Sequence, residues 1–185
     1  MNALNLTLLH ALSPGSSPSP TLLFVARLLA LWGAWACAAA IGWAAWQRRA
    51  DTLYLLAVAA GAALASVLSH AIAARLDIPR PFVAGWVPAY IAHGSSPSLP
   101  STHATVMFFV AVALLMRAGL RRTGIIALAL ACMVGWARIY VGVHTPLDIA
   151  AGLALGTVMA AVLGLLWRRP RRPTAGTGPV YGGTP

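Results

Sequence analysis

Apolar positions in this chain come in long unbroken runs, not in the alternating or one-faced patterns of a water-soluble domain. Five runs, at 22–46, 52–74, 102–118, 123–143 and 146–167, approach or exceed the ~20 helical residues that cross a bilayer. No proline falls beyond the first turn of any of them. The pattern predicts an all-α integral membrane protein, a bundle of about five transmembrane helices with the third the shortest. Ahead of the first run, Leu4, Leu8 and Leu12 recur at one-turn spacing and predict a short helix lying in the interface. The Ser/Pro-rich linker SPGSSPSP follows it. The leading stretch carries no positive charge and does not read as a signal peptide. Between the second and third runs lies a long connection, 75–101, in which an interfacial helix or a re-entrant segment is expected over 76–98. Residues 1–172 read as one membrane domain, and the Pro/Gly/Thr-rich 173–185 as a disordered tail.

Composition sharpens this picture. The chain is 59% hydrophobic and 9% charged, with a mean hydropathy of +0.78, whereas a soluble domain carries about a quarter charged residues. The net charge of +10 comes from thirteen arginines and no lysine. They sit in short clusters between apolar runs, the pattern of membrane topology and not of a nucleic-acid face. Nine of them, at 48, 49, 117, 121, 122, 168, 169, 171 and 172, fall on one side. The positive-inside rule then predicts an outer amino terminus, a cytoplasmic carboxyl terminus, and outward-facing connections at 75–101 and near 144. Cys37 and Cys132 lie in apolar runs, where a thiol behaves as a small hydrophobe.

The polar residues with chemistry gather on those two outer connections. RLDIPRPF holds Arg75, Asp77 and Arg80; LPSTH places Ser101, Thr102 and His103 at the start of the third run; ARIYVGVHTPLD holds Arg138, His144 and Asp148. Arginine forks at 80 and 138 suit phosphate oxygens. Ser101 and the free backbone amides of a helix start form an anion site. Asp148 lies one turn beyond His144, where a carboxylate fixes the imidazole tautomer and frees the other nitrogen to attack. The only acids, Asp51, Asp77 and Asp148, are too scattered for a two-metal site, so neither a metal nor another cofactor is expected.

These clusters resemble the signatures of the type 2 phosphatidic acid phosphatase superfamily, which includes membrane lipid phosphatases and the vanadium haloperoxidases. Its motifs are Lys-x6-Arg-Pro, Pro-Ser-Gly-His and Ser-Arg-x5-His-x3-Asp. Arg80-Pro81 ends the first, Pro100-Ser101-Thr102-His103 matches the second with Thr for Gly, and Ala137-Arg138 with His144 and Asp148 matches the third with Ala for Ser. The motif lysine falls at Ala73; Arg75 and Arg27 are candidate additional cations. The resemblance implies in-line phosphoryl transfer. His144 is the nucleophile, His103 the acid for the leaving group and Asp148 the orienter, with Arg80, Arg138, Ser101 and the Thr102 amide on the phosphate.

Within the superfamily the chain is most like the bacitracin-resistance type of undecaprenyl-diphosphatase. That likeness implies removal of the terminal phosphate of a polyprenyl diphosphate at the outer face of the plasma membrane, with no obligate protein partner. The alternatives are phosphatidylglycerol phosphate, phosphatidate or lipid A as substrate, or transfer of the phosphate to another lipid. Two other classes compete: a haem-binding membrane protein, since histidines in spans ligate haem, and a non-catalytic phospholipid binder. Read singly, His10, His70 and His93 are structural or loop residues. Trp86 and Tyr90 are interface anchors, and Gly152 with Gly156 is a helix-packing pair within the bundle.

Overall fold

The computed structural model describes residues 3–15 and 17–167. The predicted tail at 173–185 and the arginines at 168, 169, 171 and 172 lie outside these residues. Among the described residues six α-helices follow in chain order: α1 (Ala3–Leu12), α2 (Pro20–Gln47), α3 (Thr52–Leu76), α4 (Thr102–Leu115), α5 (Arg121–Tyr140) and α6 (Pro146–Leu166). Short 3-10 turns at Arg49–Asp51 and Ala118–Leu120 lead into α3 and α5. Four helices, α2, α3, α5 and α6, are long and apolar enough to cross a membrane. They leave large apolar side chains uncovered, among them Trp32, Trp35, Trp43 and Trp46 on α2 and Leu53, Leu56 and Leu64 on α3. Exposed apolar surface on this scale belongs against hydrocarbon.

The expected third span is shorter than 102–118. α4 has 14 residues, about 21 Å at the α-helical rise. It packs against α6, α5 and α3, and most of its residues from Ala104 to Leu114 are buried. A helix sheathed by its neighbours has little lipid contact, so bilayer thickness does not set its length. It ends where Arg117 turns back to pair with Asp51 at 2.8 Å and to sit over the Tyr54 ring.

Glycines set the closest approach. A Cβ on Gly152 would lie 2.7 Å from the Ala104 Cβ and 2.9 Å from the Ser101 carbonyl oxygen. One on Gly156 would overlap the Thr105 carbonyl and come within 2.8 Å of the Phe109 amide nitrogen. The GxxxG pair therefore seats α6 on the backbone of α4 inside the bundle and brings their amino ends together. α1 forms as predicted, with Leu4, Leu8 and Leu12 exposed and Leu9 and Asn5 buried. The Asn5 side-chain oxygen Oδ1 accepts the Leu147 amide at 3.0 Å, one of the free donors at the α6 start. The connection 77–101 contains turns and no helix, so the expected interfacial helix is absent there. Tyr90 donates its amide to the Val141 carbonyl and its hydroxyl to the Gly15 carbonyl. Those bonds hold the connection without helical pairing.

Candidate active site

The amino ends of α4 and α6, the carboxyl ends of α3 and α5, and the 77–101 connection meet at one end of the bundle. α6 begins with a capping box. Thr145 is the N-cap, its hydroxyl accepts the Asp148 amide at 3.3 Å, and the Asp148 carboxylate accepts the Thr145 amide at 2.7 Å. The same carboxylate oxygen, Oδ2, accepts from the Ser98 hydroxyl and faces His144 Nδ1 at 3.4 Å. Asp148 thus both starts the helix and grips the ring. The Asp148 carbonyl also accepts the Ser101 amide at 3.1 Å, which ties the α6 start to the α4 start.

Partner chemistry fixes the His144 tautomer. Nδ1 faces a carboxylate, so it carries the hydrogen; Nε2 lies 3.2 Å from Arg80 Nη1, a donor, so it presents its lone pair. Burial is the largest influence on this ring and lowers its pKa; the Asp148 hydrogen bond opposes that, and Arg138 and Arg80 lower it further. The net effect holds His144 below the ordinary imidazole range, so the ring is neutral at neutral pH.

Arg80 is clamped by the Ser96 carbonyl (2.8 Å), the Val143 carbonyl (3.0 Å) and the Ser96 hydroxyl (3.1 Å). Arg138, only 3% exposed, donates to the Ala30 carbonyl at 3.2 Å and reaches His93 Nε2 at 3.1 Å. Its Nε is buried with no protein partner among the described residues. A buried, unpaired guanidinium N–H is costly. Arg80, Arg138, His144, His103, Thr102, His93 and His70 all line a cavity of about 410 Å³.

The structure therefore gathers five of the residues singled out in sequence, His144, His103, Arg80, Arg138 and Thr102, around one space, with Asp148 directly behind His144. Ser101 stands differently. It is fully buried as the N-cap of α4, its hydroxyl facing the Ala104 amide at 3.5 Å, and it does not line the cavity. The Thr102 hydroxyl is paired with Ser69 at 2.6 Å. Neither candidate extra cation reaches the space: Arg75 is exposed at the end of α3, and Arg27 donates to the Tyr90 carbonyl at 2.7 Å. Ala73, at the motif's lysine position, lines the cavity itself. Ser96, Ser98 and His93 entered from the irregular connection, where no periodicity marks which side chains turn inward.

A helical membrane bundle with an arginine-lined pocket and a carboxylate-backed imidazole belongs to the class of membrane phosphatase-like proteins. The comparisons with known proteins narrow the class. Residues 51–172 match the PAP2 superfamily, and the chain belongs to that family. It is 30% identical over 123 residues to YbjG of Escherichia coli (strain K12), provisionally named an undecaprenyl-diphosphatase, covering 66% of this chain and 62% of that one. It is 36% identical over 91 residues to the undecaprenyl-diphosphatase BcrC of Bacillus subtilis (strain 168), covering 49% and 44%. The chain thus matches under two thirds of the length of either relative. In fold it resembles Aquifex aeolicus LpxE, with a TM-score of 0.72 at 22% identity over 90% of this chain and 97% of that one.

Proposed function

We propose that the protein is a lipid phosphatase of the outer membrane face that removes the terminal phosphate of undecaprenyl diphosphate. The observation that carries this reading is the His144 ring. Its Nδ1 is backed by Asp148 and its Nε2 lone pair faces Arg80, in a cavity that Arg138 also lines. The names of YbjG and BcrC support the diphosphate substrate.

In this mechanism Arg80, Arg138 and the amide of Thr102 hold the terminal phosphate, and His144 Nε2 attacks phosphorus in line. The bond from phosphorus to the bridging oxygen breaks as His103 passes that oxygen a proton, releasing the lipid monophosphate. Water then attacks the phosphohistidine, giving its proton to His103, and inorganic phosphate leaves with His144 restored. Asp148 holds the ring throughout. Ser101 acts one step back, by fixing the α4 start beside the phosphate.

A second substrate reading draws on a 34%-identical lipid A 1-phosphatase of Rhizobium johnstonii. Purified protein with chelator, offered undecaprenyl diphosphate, phosphatidylglycerol phosphate, phosphatidate and lipid A, separates the two. The proposal expects the fastest phosphate release from the diphosphate. A preference for lipid A would favour the second reading, and no release from any lipid would contradict both.

A further inference from the structure

Four of the five histidines, His70, His93, His103 and His144, line the cavity, and the mechanism above uses two. His93 is the unassigned one with a defined place. Its Nδ1 lies 3.0 Å from the Gly94 carbonyl, an acceptor, so Nδ1 carries the hydrogen. Its Nε2 lies 3.1 Å from Arg138 Nη2, a donor, so Nε2 presents a lone pair. With these partners the imidazole is neutral and holds the guanidinium. Burial, the largest influence, lowers its pKa; the Gly94 hydrogen bond opposes this, and Arg80 and Arg138 lower it further. The groups around it are His70 from α3, Arg80 from the connection, His103 from α4, Arg138 from α5 and His144 before α6, with no carboxylate lining the cavity among the described residues.

An entering phosphate changes that balance. Its oxygens compete for Arg138, and the freed Nε2 then faces an anion, which favours the charged imidazole. The α3 wall supplies no cation of its own, because Ala73 lines it while Arg75 and Arg27 stand elsewhere. His70 is exposed, with its Nδ1 bonded to Ser66 of its own helix at 2.8 Å. We infer that His93 is a further phosphate-binding residue: it holds Arg138 before phosphate enters and, with phosphate bound, carries a proton on Nε2 that it donates in a hydrogen bond to a phosphate oxygen. The proton comes from the phosphate monoanion or from solvent. The inference deepens the phosphatase reading and rests on it.

The test uses purified full-length protein, lipid phosphate release, and direct calorimetric binding of inorganic phosphate. His93→Ala lowers kcat/KM about 10- to 100-fold, chiefly through KM, and weakens phosphate binding in parallel. Ala73→Lys added to His93→Ala restores both to within about fivefold of the parent. Phosphate binding by the parent strengthens more steeply as pH falls than binding by that double variant, whose ammonium stays charged. If His93→Ala fails to fold, His93→Gln, a neutral donor, gives an intermediate loss. Parental kinetics and phosphate binding in a folded His93 variant would overturn the inference, as would a loss that Ala73→Lys does not repair. A parent that binds inorganic phosphate through His93 but hydrolyses no lipid would instead sink the phosphatase reading alone.

Discussion

Asp148 does three things with one carboxylate oxygen: it closes the α6 capping box, accepts from Ser98 and orients His144. Asp148→Asn is expected to lower kcat about 100-fold or more, because the amide no longer enforces the productive tautomer, with the protein still folded by circular dichroism. The His144 pKa is held below its ordinary range, so the acid limb of kcat/KM lies below pH ~6.5. The sign follows from the ring being neutral when competent: activity persists until pH falls through the depressed pKa. Asp148 raises that pKa, so the limb of Asp148→Asn shifts to lower pH, and a shift upward would contradict the assignment. The spacings of Arg138, His144 and Asp148 made this part of the site legible in sequence. Ser98 and His93 were not legible, because side chains of an irregular connection carry no period that says which of them turn inward.

At the scale of elements, the site depends on α4 and α6 starting side by side. Gly152 and Gly156 allow that by admitting the α4 backbone where any side chain would collide. Gly156→Ala should cost ~1–3 kcal/mol of stability, as overpacking does, and lower activity together with the thermal midpoint. An unchanged midpoint would remove the glycine pair from this role. The apolar runs marked α2 to α6, and Leu4, Leu8 and Leu12 marked α1. Hydrophobicity misjudged the length of α4, because a run buried among other helices reads like one facing lipid. The proposed interfacial helix in 76–98 failed for a related reason: hydrogen bonds to Val141 and Gly15 hold that segment as turns.

At the scale of the whole molecule, the cavity lies at the end opposite Arg48, Arg49, Arg117, Arg121 and Arg122. With Cys37 and Cys132 replaced, Ser95→Cys should react with an impermeant thiol reagent added outside intact cells, and Ala118→Cys only after lysis. The reverse pattern would put the site on the cytoplasmic side and exclude the outer-face task proposed for it. The central claim is that one imidazole takes the phosphoryl group from the lipid. Its most direct test is rapid alkaline quenching of enzyme turning over diphosphate labelled in the terminal phosphate, followed by peptide mapping. The account predicts an acid-labile label on His144 that appears before free phosphate and is absent from His144→Ala. Full turnover with no label on His144 at any time, or a label on another residue, would contradict it.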